Sequence, residues 1–167
     1  METREESNMA YAIFIGIGAT AFMDIWSAFR AWLFGSPMPD YGLVGRWVAY
    51  LARGKFFHNP IARSAPIRGE RLIGWAVHYA TGIAFAAVLI AVWGEQWVER
   101  PALVPALIVG IGSVAAPFLL MQPGMGAGIA SRRTADPRAA RLRSFTTHTV
   151  FAAGLYAAGW AANLIEF

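Results

Sequence analysis

Apolar residues fall in four long blocks, with no period-two alternation between them. The blocks run roughly over 9–29 (Met9 to Phe29), 72–93 (Leu72 to Trp93), 102–122 (Ala102 to Gln122) and 145–165 (Phe145 to Ile165). Each has about the 20 mostly apolar residues that a helix needs to cross a bilayer. The first holds one charge, Asp24, and the second holds His78. The third has no ionisable side chain but carries Pro105 and Pro117, which are expected to bend it. The fourth holds only His148. A sheet at membrane depth would have to close into a barrel, and the pattern for that is missing.

Between the first two blocks, Asp40 is placed to cap a helix. Leu43, Val44, Trp47, Val48 and Leu51 then recur at helical spacing, with Arg46 and Arg53 on the other side. This predicts an amphipathic helix lying on the membrane surface. Gly54 is expected to end it. The stretch from Lys55 to Gly69, with Pro60, Pro66 and His58, reads as irregular.

Composition agrees with the blocks. Hydrophobic residues make up 57% of the 167 and charged residues 14%, against about 25% charged in an ordinary soluble domain. That excludes a disordered chain or a coiled coil and disfavours a soluble globule. With no cysteine, disulfides, thiolate metal sites and a cysteine nucleophile are excluded.

The net charge is +4, but its placement says more than its sum. Arg30, Arg46, Arg53, Lys55, Arg63, Arg68 and Arg71 follow the first block. Arg132, Arg133, Arg138, Arg141 and Arg143 lie between the third and fourth. Twelve of the 14 basic residues are therefore expected on one side. The other side has Arg4 and Arg100 beside Glu2, Glu5, Glu6, Glu95, Glu99 and Glu166. Basic loops stay in the cytoplasm, so both termini are expected outside. The arginines read as topology signals and lipid-phosphate contacts; nucleic acid is not an expected partner. The acidic flank before Met9 does not suit a signal peptide, so the first block is read as a retained helix. The expected fold is an all-α integral membrane protein, one transmembrane domain over 1–167. It has four transmembrane helices, cytoplasmic loops over about 30–71 and 123–143, and one interfacial helix in the first loop.

Several strings resemble a bacterial membrane-protein family known as domain of unknown function 2938. They are Gly16-Ile17-Gly18-Ala19-Thr20 leading to Met23-Asp24, and Asp40-Tyr41-Gly42-Leu43-Val44-Gly45-Arg46-Trp47. Gly69-Glu70-Arg71, Gly74-Trp75 and His78-Tyr79 follow, and then the most distinctive, Gln122-Pro123-Gly124-Met125-Gly126-Ala127-Gly128. The resemblance implies a multi-pass bacterial membrane protein; taken with the placement of the basic residues, the expected location is the bacterial inner membrane with both termini periplasmic. It implies no reaction, ligand or catalytic residue.

Ionisable groups inside a span are expensive and are functional hypotheses by default. Asp24 lies six residues before Arg30, His78 seven after Arg71 and His148 five after Arg143. At 1.5 Å per residue, all three are expected roughly 8–10 Å in from the basic helix ends. Thr20 and Ser27 flank Asp24, Gly74 and Thr81 flank His78, and Ser144, Ala152 and Tyr156 share the His148 face. Small and polar residues of this kind line helix contacts in membranes. Asp24, His78, His148, Gln122 and Tyr156 therefore form the expected binding group. The plain alternative is that each merely ties helices together.

A weaker expectation is a metal site of Asp24, His78 and His148 joined by His58, or a haem held between two histidines. No cofactor signature decides this. The glycine-rich 122–128 string lacks the strand and the Lys-Ser/Thr pair of a phosphate loop. It reads as a tight helix exit or a re-entrant turn. No serine triad, His-Glu-x-x-His or hydrolytic carboxylate pair is present, so an enzyme is the least supported class. Three readings remain: transport or permeation of a small solute or proton, a metal- or haem-binding membrane subunit, and an accessory or assembly protein without ligand. A homo-oligomer or a membrane-complex partner would suit so narrow a bundle.

Overall fold

The protein is described by a computed structural model that places the backbone of residues 2–165 and the side chains of 6–165. The side chains of Glu2, Arg4 and Glu5, and all of Glu166, lie outside the described residues. Among the described residues the regular elements are all helical. They are α1 (Glu2–Phe34), α2 (Tyr41–Leu51), α3 (Glu70–Trp93), α4 (Glu95–Glu99), α5 (Leu103–Gly112), α6 (Gln122–Met125) and α7 (Pro137–Ala162). A π-helical turn, Pro117–Met121, precedes α6.

Three helical stretches are long and apolar enough to cross a membrane: Glu6–Phe34, Glu70–Trp93 and Leu103–Met125. Four were expected and three are found; α7 is the one not among them. Helix α7 forms over 26 residues, but its apolar character is diluted. Arg138, Arg141 and Arg143 occupy its first turns, and Thr146, Thr147, His148 and Thr149 follow within two turns. Gly154, Gly159 and many alanines add little hydropathy after that.

The third stretch is also less regular than expected. Pro105 sits in the first turn of α5, where its missing N–H belongs to no intrahelical bond, so it bends nothing. The regular helix instead ends at Gly112, and Pro117 opens the π-helical turn. The helix continues past Gln122 to Met125. Gly126, at φ +95°, then closes it with N–H bonds from Gly126 to Pro123 O and from Ala127 to Gln122 O. Only glycine adopts that left-handed φ without penalty.

The chain divides into two compact units. The first comprises Met1–Met38, Tyr79–Ser113 and Thr147–Phe167; the second comprises Pro39–His78 and Val114–Thr146.

The core of the first unit is built at helical spacing. Helix α1 contributes Ala12, Ile15, Ala19 and Met23, and α7 contributes Phe151, Leu155, Ala158 and Ala162. Between them lie Ala86, Leu89 and Ile90 of α3, Trp97 and Val98 of α4, and Ala106 and Val109 of α5. Six of these 15 are alanine, so the helices approach closely. A Cβ on Gly16 would collide with the backbone of Ile83. The outward faces are equally apolar, with Ile17, Ile25, Val88, Val92, Val104 and Ile108 exposed. Helices apolar all round suit a lipid surrounding rather than water.

The second unit is organised around α2. Asp40 caps it, its Oδ1 accepting the Gly42 N–H at 2.9 Å. The helix ends at Leu51, and Gly54, at φ +74°, turns the chain away. The buried residues of α2 are Gly42, Gly45 and Arg46. This corrects the expected orientation, in which Arg46 lay on the polar side. Leu43, Trp47 and Leu51 are only half-buried. The reason is a close helix crossing: a Cβ on Gly45 would strike the Glu70 carbonyl, and one on Gly74 the Tyr41 carbonyl. Residues 55–69 are irregular apart from a single 3₁₀ turn, Ile61–Arg63.

Candidate functional site

Within the first unit, one face of α1 is polar in an apolar helix. Thr20 is fully buried and its hydroxyl donates to Gly16 O at 2.7 Å, one turn earlier. Asp24 follows one turn later, and buried Ser27 next. The Tyr79 hydroxyl of α3 donates to the Asp24 carboxylate.

The second polar pair of this unit joins Ser113, just past α5, to His148 on α7, Oγ to Nδ1 at 2.7 Å. The same Ser113 hydroxyl donates to Gly110 O at 2.6 Å. A hydroxyl has one proton. With it committed to Gly110, His148 Nδ1 is the donor to Ser113 and Nε2 carries the imidazole lone pair. Asp24 and His148 thus engage different partners. Tyr156 packs against the apolar core and meets the Trp160 ring edge-on at 6.4 Å.

The other expected residues belong to the second unit. His78 stacks on Tyr41, ring centroids 4.1 Å apart and 26° between planes, with Trp75 edge-on at 5.8 Å. Gln122 accepts from Ser131 Oγ at 2.9 Å and donates to Ser144 Oγ at 3.4 Å. His58 is buried, bonded through Nδ1 to Ser64 Oγ at 2.8 Å, with the Tyr50 ring 5.0 Å away. Burial, and secondarily the nearby Lys55 charge, pushes its pKa below the usual histidine value. Among the described residues no group of three or more His, Asp or Glu side chains is placed to hold a metal ion. The metal set of Asp24, His78, His148 and His58 therefore gains no support.

Sequence reasoning overlooked Tyr79 and Ser113 and misplaced Arg46. Ser113 had a signal, as the lone hydroxyl in 102–122. Arg46 had one too, since Glu70 is the single carboxylate between Asp40 and Glu95. Tyr79 had none beyond being a polar-tipped residue in an apolar helix.

These features define an all-helical protein with three helices long and apolar enough to cross a membrane and with polar pairs set among them. Residues 13–162 match the family described as protein of unknown function (DUF2938), and the chain belongs to that family. No curated protein and no solved structure matches the chain.

Proposed function

We propose that the chain is a multi-pass protein of the bacterial inner membrane that passes a small solute or a proton. In this reading α7 is the fourth crossing, shielded by its neighbours, and α2 lies at the cytoplasmic interface. Both termini are periplasmic. The observation that carries it is the hydrogen bond from Tyr79 to the Asp24 carboxylate inside two apolar helices. A carboxylate at that position costs roughly 2.5–3.5 kcal/mol on insertion scales, a cost that function would explain. Asp24 is the proton-carrying group, with Tyr79 orienting it and His148 as a second titratable side chain. A homodimer would widen so narrow a bundle.

The test is proton flux into proteoliposomes under an imposed pH gradient, read with an entrapped pH dye. Wild-type protein is expected to conduct above empty vesicles, and Asp24→Asn to lose most of that flux while still folding. Flux unchanged by the substitution, or absent from the wild type, overturns proton passage.

The Ser113–His148 bond favours a second reading, an accessory protein whose polar pairs only tie helices. It expects Asp24→Asn and His148→Ala to lower thermal stability and to leave vesicles tight in every case.

A further inference from the structure

In the second unit, parts of residues 55–64 together with Arg133 line an open surface cavity of about 520 Å³. That lies within the roughly 300–1,000 Å³ of small-molecule sites. Lys55, Arg63 and Arg133 line it beside His58, Asn59 and Ser64, with no carboxylate among the lining residues. Neither Arg63 nor Arg133 is ion-paired among the described residues. Three exposed cations thus line one hollow with no carboxylate beside them, Lys55 Nζ also lying 5.3 Å from the Tyr50 ring centroid.

The backbone beneath the hollow is fixed by the fold. The His58 N–H donates to Gly124 O at 2.9 Å and the Arg133 N–H to Ala127 O at 2.8 Å. A Cβ on Gly126 would lie 2.5 Å from His58 O, so the two loops meet backbone to backbone. Just before Arg133, Ala130 and Ser131 hold φ of 46° and 59°. Side-chain-bearing residues adopt that region at a cost, and such strain gathers at functional sites. His58 is 7% exposed, and its Nε2 is buried with no hydrogen-bond partner. That nitrogen is closed off from the cavity, so His58 serves as part of the wall and the cations as the ligands.

We propose that this cavity binds a phosphate-bearing anion, held by Arg63, Arg133 and Lys55 against a wall formed by His58. A phosphate group suits it better than a carboxylate because its double charge answers several cations at once, while its oxygens match the guanidinium fork as well as a carboxylate's do. The phosphate can come from a soluble ligand or from the headgroup of a lipid, and both present the same chemistry to these side chains.

The experiment uses the full chain in neutral detergent and in nanodiscs. One arm titrates inorganic phosphate and follows binding calorimetrically. The other compares phosphatidylcholine nanodiscs with and without phosphatidic acid, reading the melting temperature and lipid co-purification. Saturable phosphate binding supports a soluble source, and stabilisation confined to phosphatidic acid supports a lipid source. In either arm Arg63→Gln with Arg133→Gln is expected to weaken binding at least tenfold, and Arg138→Gln, outside the cavity, to leave it unchanged. Lys55→Gln reads the same loss if the double variant does not fold. No binding in either arm, or equal weakening by Arg138→Gln, overturns the proposal.

Discussion

Arg46 and Glu70 meet as a two-pronged ion pair, Nε to Oε2 at 2.8 Å and Nη2 to Oε1 at 2.7 Å. The guanidinium has further work, since its Nη1 donates to Ser64 O at 3.0 Å and Ala62 O at 3.4 Å. Glu70 Oε2 also accepts the Ile67 N–H at 2.8 Å. One pair thus joins α2, the irregular loop and the start of α3. The hydrogen bonds that Arg46 donates to Glu70 hold its pKa above the ordinary value, so this cation stays charged although buried.

Removing one partner of this part-buried ion pair strands the other. Arg46→Ala or Glu70→Gln is therefore expected to destabilise the protein by roughly 1–3 kcal/mol. The double variant should cost much less than the sum, because both singles break the same contact. Thermal melts of the four proteins in detergent measure the coupling. Additive losses would mean the pair does not act as a unit.

The α2–α3 crossing should be as sensitive as the ion pair. A methyl group on Gly45 or Gly74 meets a backbone carbonyl, which has nowhere to retreat. Gly45→Ala and Gly74→Ala are each expected to cost about 1–3 kcal/mol by overpacking. Gly112→Ala, where an added Cβ meets nothing within 4 Å, should be neutral in the same melts.

The lowered pKa of His58 sets a sign for pH dependence. The unfolded chain takes up this proton at pH near 6.5 and the folded chain only below that. Stability is therefore whole above about pH 6.5 and declines as pH falls towards the folded value. His58→Gln should flatten that part of the stability curve. A wild-type curve that rises on acidification through this window would contradict the assignment.

Ser113 governs which nitrogen of His148 holds the proton. Ser113→Ala is expected to release the Nδ1 preference, visible as a change in the ¹⁵N shifts of the His148 ring. The stability loss should be about 1–2 kcal/mol, the usual cost of a buried hydrogen-bonding group left without its partner.

Orientation is open to a direct check. Reporter fusions after Gly69 and after Pro137 should be active only as cytoplasmic reporters, because basic loops are retained there. Alkaline-phosphatase activity at either point would invert the topology.

Much was legible from residue order alone. Apolar blocks longer than a bilayer is thick have few folded options, because backbone groups in lipid must bond within their own helix. The all-helical class, the apolar helices α1 and α3, the Asp40 cap and the break at Gly54 follow from such local rules. The glycine-rich exit after α6 was legible for the same reason: Gly126 sits where the helix must turn left-handed.

What only the tertiary structure decided is how the polar side chains are partnered, and that depends on distant residues. Arg46 looked like one more cation of a basic loop. It is buried because Gly45 and Gly74 let two helices touch and bring Glu70, 24 positions away, within reach. Asp24 found Tyr79 and His148 found Ser113 through packing across helices. Spacing along one helix specifies which side chains share a face, and it says nothing of the register between helices. That register is set by where small residues permit close approach, a property of the packed pair and not of either segment alone.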